Sequence, residues 1–366
     1  MRNNIVGNAS LRPAEARWLL PTLTQGLPTM RIPFPRLFVL ACLVLAFHSR
    51  AAQAESTELR LARQYGIGYL QMMVMEHEKL IEKKAAAAGL GDIAITWMTF
   101  ADGTGASDAI LSGNLDIAAG GLGSFVTLWE RTRNTIGVKG IAALNSMPML
   151  LNTRNPDLQS IRDLTERDRI AVAGIKVSSQ ATTLQLAAAQ TFGVDNWNRL
   201  DHLTVNLGHP TAMQLLLQEG SDVDAHFASP PFQNQELRRP GIHTILNSYD
   251  VWGGPQTFVL VWTTTRFRDG NPRLYKAFIA ALKEATEFIN HKPRAAAEMY
   301  LQMTGERTMT ADELVALLGI PDISFTLVPQ NVVKFAAFKA QIGNVSGRPD
   351  TWKDLFFPEI HALPGS

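Results

Sequence analysis

One unit occurs twice in this chain. Ile110-Leu111-Ser112-Gly113-Asn114-Leu115-Asp116-Ile117-Ala118 lies naturally beside Leu216-Leu217-Gln218-Glu219-Gly220-Ser221-Asp222-Val223-Asp224-Ala225. Each copy ends a helix on a glycine, the residue that enters the left-handed conformation without steric cost. Each then turns through an acidic residue into a short apolar strand and a loop of small residues. The second copy carries one extra residue between its glycine and its aspartate. A chain built this way is expected to fold into two lobes of one plan.

The surrounding pattern alternates short apolar strands with amphipathic helices, which predicts an α/β fold with largely parallel sheets. In the first half, strands are expected over 59–63, 93–100 and 115–119, with a long helix over 68–88 and a short one over 105–111. A comparable series follows: strands over 169–173, 202–206 and 223–228, and helices over 179–192 and 210–219. A strand over 256–264 then leads into a helix opened by Asn271-Pro272, an N-cap followed by proline at the first helical position. Two more helices follow, the second opened by the capping box Thr310-Ala311-Asp312-Glu313. These C-terminal elements are expected to pack on the first lobe. The chain then crosses between lobes twice, near 145–148 and 253–255, where turn and breaker residues suit a hinge. This places lobe 1 at 55–144 plus 256–366 and lobe 2 at 145–255.

The 34 basic and 33 acidic side chains nearly cancel, which argues against nucleic-acid binding. From Met30, a basic start (Arg31, Arg36), an apolar run over 37–47 and the triplet Ala52-Gln53-Ala54 follow the order of a secretory signal peptide. Residues 1–29 lack that logic and read as a gene-model extension. The apolar run is too short for a permanent transmembrane anchor, which needs about 20 residues. The one cysteine, Cys42, sits inside that run with apolar residues continuing beyond it, so cleavage after Ala54 is preferred to lipidation. A chain cleaved there has no thiol for disulfides, metal or catalysis.

In open α/β sheets, ligands bind at the loops beyond the C-terminal strand ends. Four such loops carry candidates: Gln64-Tyr65-Gly66-Ile67-Gly68, Gly120-Gly121-Leu122-Gly123-Ser124, Lys176-Val177-Ser178-Ser179-Gln180 and His226-Phe227-Ala228-Ser229-Pro230-Pro231. Taken singly, each has a plainer reading. Ser178 or Ser179 serves as an N-cap, glycines 121 and 123 make a turn, Tyr65 packs, and the prolines stiffen a loop. Together they outline a cleft.

Signatures of catalysis are absent. There is no P-loop lysine, no GxSxG elbow, and Glu76-His77-Glu78 lacks the second histidine of a zincin helix. Met72, Met73 and Met75, beside Leu70 and Val74, read as core rather than as a soft-metal site.

At Leu59-Arg60-Leu61-Ala62, at Leu111 through Ala118, and at Ser160-Ile161-Arg162-Asp163-Leu164 leading into Arg169-Ile170-Ala171-Val172, the chain resembles the periplasmic solute-binding proteins of nitrate, sulfonate and taurine ABC importers, the NMT1/THI5-like superfamily. The resemblance extends from about residue 58 to the C-terminal region. It implies a type II periplasmic-binding fold: a two-lobed clamshell whose lobes, joined by a two-strand hinge, close on a small molecule without catalysis. It further implies a monomeric receptor without cofactor or metal, located in the periplasm, serving an ABC permease and its ATPase. By position in that fold, the ligand contacts would come from Gln64, Tyr65, Gly123, Ser124, Ser178, Ser179, Gln180, Ser229, Trp252 and Gly253, with His209 and His226 also available. The loops are polar and aromatic, with no obvious arginine clamp for a sulfonate, which favours a small organic acid or a polar aromatic compound; the resemblance keeps a sulfonate-like solute in the expected class. Two alternatives remain: an exported module of a membrane sensor, and a biosynthetic enzyme related to the superfamily's thiamine-precursor synthases.

Overall fold

The computed structural model describes residues 54–366, so the signal-peptide and gene-model expectations over residues 1–53 lie outside it. The chain forms strands β1 (Glu58–Arg63), β2 (Ala94–Thr99), β3 (Ile117–Gly121), β4 (Val138–Ala143), β5 (Asn145–Ser146), β6 (Leu150–Thr153), β7 (Ile170–Val172), β8 (Thr204–Asn206), β9 (Ala225–Ala228), β10 (His243–Asn247), β11 (Val259–Thr264) and β12 (Ser324–Phe325). Two five-stranded sheets result, of order β2-β1-β3-β11-β4 and β8-β7-β9-β6-β10. In each, the first three strands are parallel and the fourth is antiparallel to its neighbours.

That fourth strand is the one the chain enters on arriving from the other sheet. β6 follows the passage out of the first sheet, and β11 follows the passage back. The two passages run side by side. Ser146 bridges Thr257, the Ser146 hydroxyl donates to the Gln256 carbonyl at 2.7 Å, and β12 pairs with β5 on the other side.

The repeated aspartates do the same job in both copies. Asp116 Oδ2 accepts from the Arg60 backbone N–H at 2.8 Å, and Asp224 Oδ2 accepts from that of Arg169 at 2.9 Å. Each aspartate's own N–H donates to the carbonyl of the same arginine at 3.0 Å. The carboxylate just before β3, and its counterpart just before β9, therefore ties the start of that strand to the neighbouring parallel strand in each sheet. The extra residue of the second copy is absorbed in the turn after Gly220, which is left-handed like Gly113 (φ of +73° and +72°). Asp224→Ala leaves the Arg169 N–H without its acceptor in a half-buried position. It is expected to lower stability by about 1–3 kcal/mol, read by urea denaturation; a change below about 0.5 kcal/mol would show that the turn carries no such weight.

The long helix expected over 68–88 is divided. A 3-10 turn over Ile67–Tyr69 precedes a helix over Leu70–His77, and a second helix over Leu80–Ala87 follows. Lys79 takes the left-handed conformation between them, with φ of 52°. The break lets both pieces lie against the helix Pro272–His291. Met72, Met73 and Met75 are buried in this packing, as core.

Asn271 also departs from expectation, because its side chain does not cap the helix that follows. Its Oδ1 accepts from Ser56 N instead, and the first helical amides go to the Glu55 carboxylate, from Arg273 N at 2.9 Å and Leu274 N at 2.8 Å. A negative charge at a helix N-terminus is the favourable sign. The capping box at Thr310 and Glu313 is present. Beyond it lies a helix over Val332–Gln341 that the sequence pattern did not single out. Its Phe335 and Phe338 pack on Trp252, at ring distances of 5.0 and 6.1 Å.

Among the described residues, no helix is long and apolar enough to cross a membrane.

Candidate functional site

The C-terminal ends of the parallel strands in both sheets point toward each other across one cleft. It is lined by Gln64 and Tyr65 beyond β1, Ala101 and Gly103 beyond β2, and Gly121 and Ser124 at the end of β3. From the second sheet come Ala173, Ser178, Ser179 and Gln180 beyond β7, and His209 beyond β8; Tyr69 and Phe258 complete the wall. No lysine or arginine is among these residues. Two helices of ordinary length, Leu122–Thr132 and Ser179–Phe192, begin at the cleft. Their N-termini supply partial positive charge there.

The lobes are closed on one another. Gly123 N–H donates to Ser179 Oγ at 3.1 Å, Asn206 Nδ2 donates to Asp102 Oδ2 at 3.0 Å, and Ile67 N–H donates to the Pro230 carbonyl at 3.3 Å. The space left inside is about 20 Å³, room for about one water molecule. Sites for small organic ligands run to about 300–1,000 Å³. Entry of such a solute therefore requires the lobes to part.

Of the residues expected at the site, Gln64, Tyr65, Ser124, Ser178, Ser179, Gln180 and His209 are brought together here. Ser178 is also the N-cap of its helix, accepting from Ala181 N at 3.1 Å. Four others are placed elsewhere. Gly123 stands at the contact between lobes, and its amide is taken by Ser179 rather than offered to the cleft. Ser229 is buried behind His209, with its hydroxyl 3.1 Å from Nε2. Trp252 is turned into the core, where its indole N–H donates to Thr183 Oγ1 at 2.9 Å. Gly253 follows it in a left-handed turn against Lys334. The aromatic ring and the glycine therefore tie the C-terminal helix to the second lobe instead of lining the cleft. Arg63, close in sequence to Gln64, pairs with Glu76 at 2.9 Å and is likewise not a cleft residue.

The loop after β2 and the residue Phe258 escaped the sequence reading. The β2 loop follows the same strand-end rule that located the others. Phe258 had no such signal, since it comes from the returning passage and reaches the cleft only through the tertiary fold.

Behind the cleft wall lies a buried polar chain. His209 Nδ1 is 2.8 Å from His226 Nε2, His226 Nδ1 is 2.5 Å from Glu236 Oε1, and Asn152 Nδ2 donates to Glu236 Oε2 at 2.8 Å. His226, Glu236 and Asn152 are fully buried. The His209 ring stacks on Phe232 at 5.4 Å. Burial, with His226 adding to it, holds the His209 pKa well below the ordinary imidazole range, so this ring is neutral at physiological pH.

Two sheets of this topology facing one cleft define the periplasmic-binding-protein fold, as comparison with solved structures bears out. The alkanesulfonate-binding protein SsuA from Xanthomonas axonopodis pv. citri, bound to MOPS, superposes with a TM-score of 0.61 at 16% identity, covering 80% of this chain and 93% of that one. The periplasmic aliphatic sulphonate binding protein SsuA from Escherichia coli gives 0.59 at 17% identity, covering 83% and 92%. The periplasmic nitrate-binding protein NrtA from Synechocystis gives 0.55 at 13% identity, covering 71% and 69%. A search among curated proteins finds no matching sequence. Residues 52–303 match the NMT1-like family, and the chain belongs to that family.

Proposed function

We propose that the protein is the substrate-binding component of an ABC importer, capturing a small organic acid, sulfonate-like or polar aromatic solute between its two lobes. The observation that carries this reading is the cleft itself: strand-end loops of both sheets line one space that hydrogen bonds between the lobes close. The sulfonate- and nitrate-binding relatives support it by fold. In this reading the crossings near 145–148 and 253–255 are the hinges, with lobe 1 at 55–144 plus 256–366 and lobe 2 at 145–255. Export would follow from the leader over 30–54. A closed, loaded protein would present both lobes to a permease in the inner membrane.

A binding role without chemistry also fits the placement of Ser229. Its hydroxyl approaches a histidine, as a nucleophile's would, but it sits behind His209 rather than facing the cleft.

Thermal-shift screening with organic acids, sulfonates and pyrimidines tests the proposal. A ligand that binds only the folded protein stabilises it by about 2.7 kcal/mol at a hundredfold excess over Kd. A clear rise in Tm for one solute class is expected, with that solute recovered unchanged. Chemical conversion of the stabilising solute would sink the receptor reading.

A further inference from the structure

Tyr69 is not one of the expected contact residues, yet its side chain lines the cleft at 3% exposure. Buried tyrosine hydroxyls ordinarily find a partner, as Tyr249 does with the Ser146 hydroxyl at 2.7 Å and the Asp322 carbonyl at 3.0 Å. Among the described residues, no group takes up the Tyr69 hydroxyl, and surrounding atoms do not seal it off. It therefore opens on the cleft. Burial alone pushes its pKa well above the ordinary phenol range, so the hydroxyl keeps its proton at physiological pH and is able to donate it.

The backbone around it is also short of acceptors. Besides the two helices already placed at the cleft, Gly103–Leu111 and His209–Leu217 begin there. First-turn amides have no partner inside their own helix, and the caps here reach only some of them. Asp102 takes Thr104 N and Gly105 N, and Ser178 takes Ala181 N. The Phe258 carbonyl takes Leu122 N, and the Ser179 hydroxyl takes Gly123 N. Among the described hydrogen bonds, none takes the N–H groups of Gly103, Ser124, Ser179, Gln180 and His209, and each of these residues lines the cleft. A backbone N–H can only donate. We propose that Tyr69 is a specificity-determining contact whose hydroxyl joins these amides in binding an anionic oxygen group of the solute, a carboxylate or sulfonate. Neutral donors and helix dipoles take the place of a countercharge, in keeping with a lining that holds no lysine or arginine. Tyr69 has this role only if the cleft is the solute site proposed above, and it meets the anionic end of that solute.

Tyr69→Phe removes the hydroxyl alone, and its effect is read in two ways. In thermal unfolding without solute, the Tm of the variant is expected to match or exceed that of the parent, because no internal hydrogen bond is lost. A fall of roughly 2 °C or more, the size expected for one lost bond, overturns the proposal. Acetate, benzoate, methanesulfonate, benzenesulfonate and benzylamine, at millimolar concentration, serve as probes of the solute's end group. An acid among them is expected to raise the Tm of the parent, and titration should show its affinity lower by about 10- to 100-fold in Tyr69→Phe. Equal affinity in both proteins overturns the role of Tyr69. No rise from any of the acids, or a rise from benzylamine alone, overturns the anionic class and leaves the importer reading to stand on another solute. Chemical conversion of a bound acid sinks the importer reading instead, and the loss of affinity in the variant is read beside it.

Discussion

Gly123→Ala is expected to abolish tight solute binding while leaving the protein folded. A Cβ at this position would lie 2.4 Å from the Val177 carbonyl oxygen, 2.5 Å from the Ser178 carbonyl carbon and 2.7 Å from its oxygen. All three are backbone atoms of the opposite lobe, which cannot rotate aside as a side-chain end can. The added carbon therefore holds the lobes apart. A closed state raised by about 3 kcal/mol lowers apparent affinity on the order of 100-fold. The same substitution lies in the first turn of the helix Leu122–Thr132, where alanine is better tolerated than glycine by roughly 0.5–1 kcal/mol. Stability of the first lobe should be kept or slightly raised. Small-angle scattering should show a larger radius of gyration than the parent protein, with or without the solute found in the thermal screen. Unchanged affinity and an unchanged radius would mean that closure does not pass through this contact.

Lys339→Met is expected to stabilise the protein by about 3 kcal/mol at neutral pH. Lys339 lies in the C-terminal helix Val332–Gln341 and is 1% exposed. Burial alone pushes its pKa down to about 8 from 10.5. The sign follows from the protons bound in each state. Below about pH 8 the ammonium is charged in both states, and the folded protein bears the full cost of burying it. Between about 8 and 10.5 the unfolded chain binds more protons than the folded one, so stability rises with pH. Above 10.5 both states are neutral and the cost is gone. Each unit of the depression corresponds to 1.36 kcal/mol, which gives the figure above. Methionine fills a similar volume without the charge. Urea denaturation of both proteins at pH 7 and pH 10 checks it. The variant's advantage should shrink markedly at the higher pH; an equal advantage at both would assign the gain to packing instead.

These two residues show different limits of what the chain reveals before it folds. Gly123 was legible as a glycine in a strand-end loop, and position in the fold put it among the expected ligand contacts. The contact it makes is with the other lobe, because Ser179 Oγ occupies the place where the amide points. Trp252 and Gly253 followed from position in the fold alone, and side-chain packing against Phe335 and Phe338 took them out of the cleft. Lys339 carries no local sign of burial at all, since nothing in a helix of mixed polarity announces which face a distant segment will cover.

What the sequence determined by itself was the architecture. Its periodicity placed the strands, glycines 113 and 220 ended the helices, and Asp116 and Asp224 marked two copies of one turn, all by interactions within a few residues or within a single sheet edge. Those features sufficed for two α/β lobes and for most of the loops that meet between them. Tertiary structure alone decided how the loops are shared between solute and closure. It also assembled Asn152, Glu236, His226 and His209, drawn from positions 84 residues apart, into one buried chain. Hydrogen bonds of that kind depend on distance and burial in space, and no spacing along the chain encodes either.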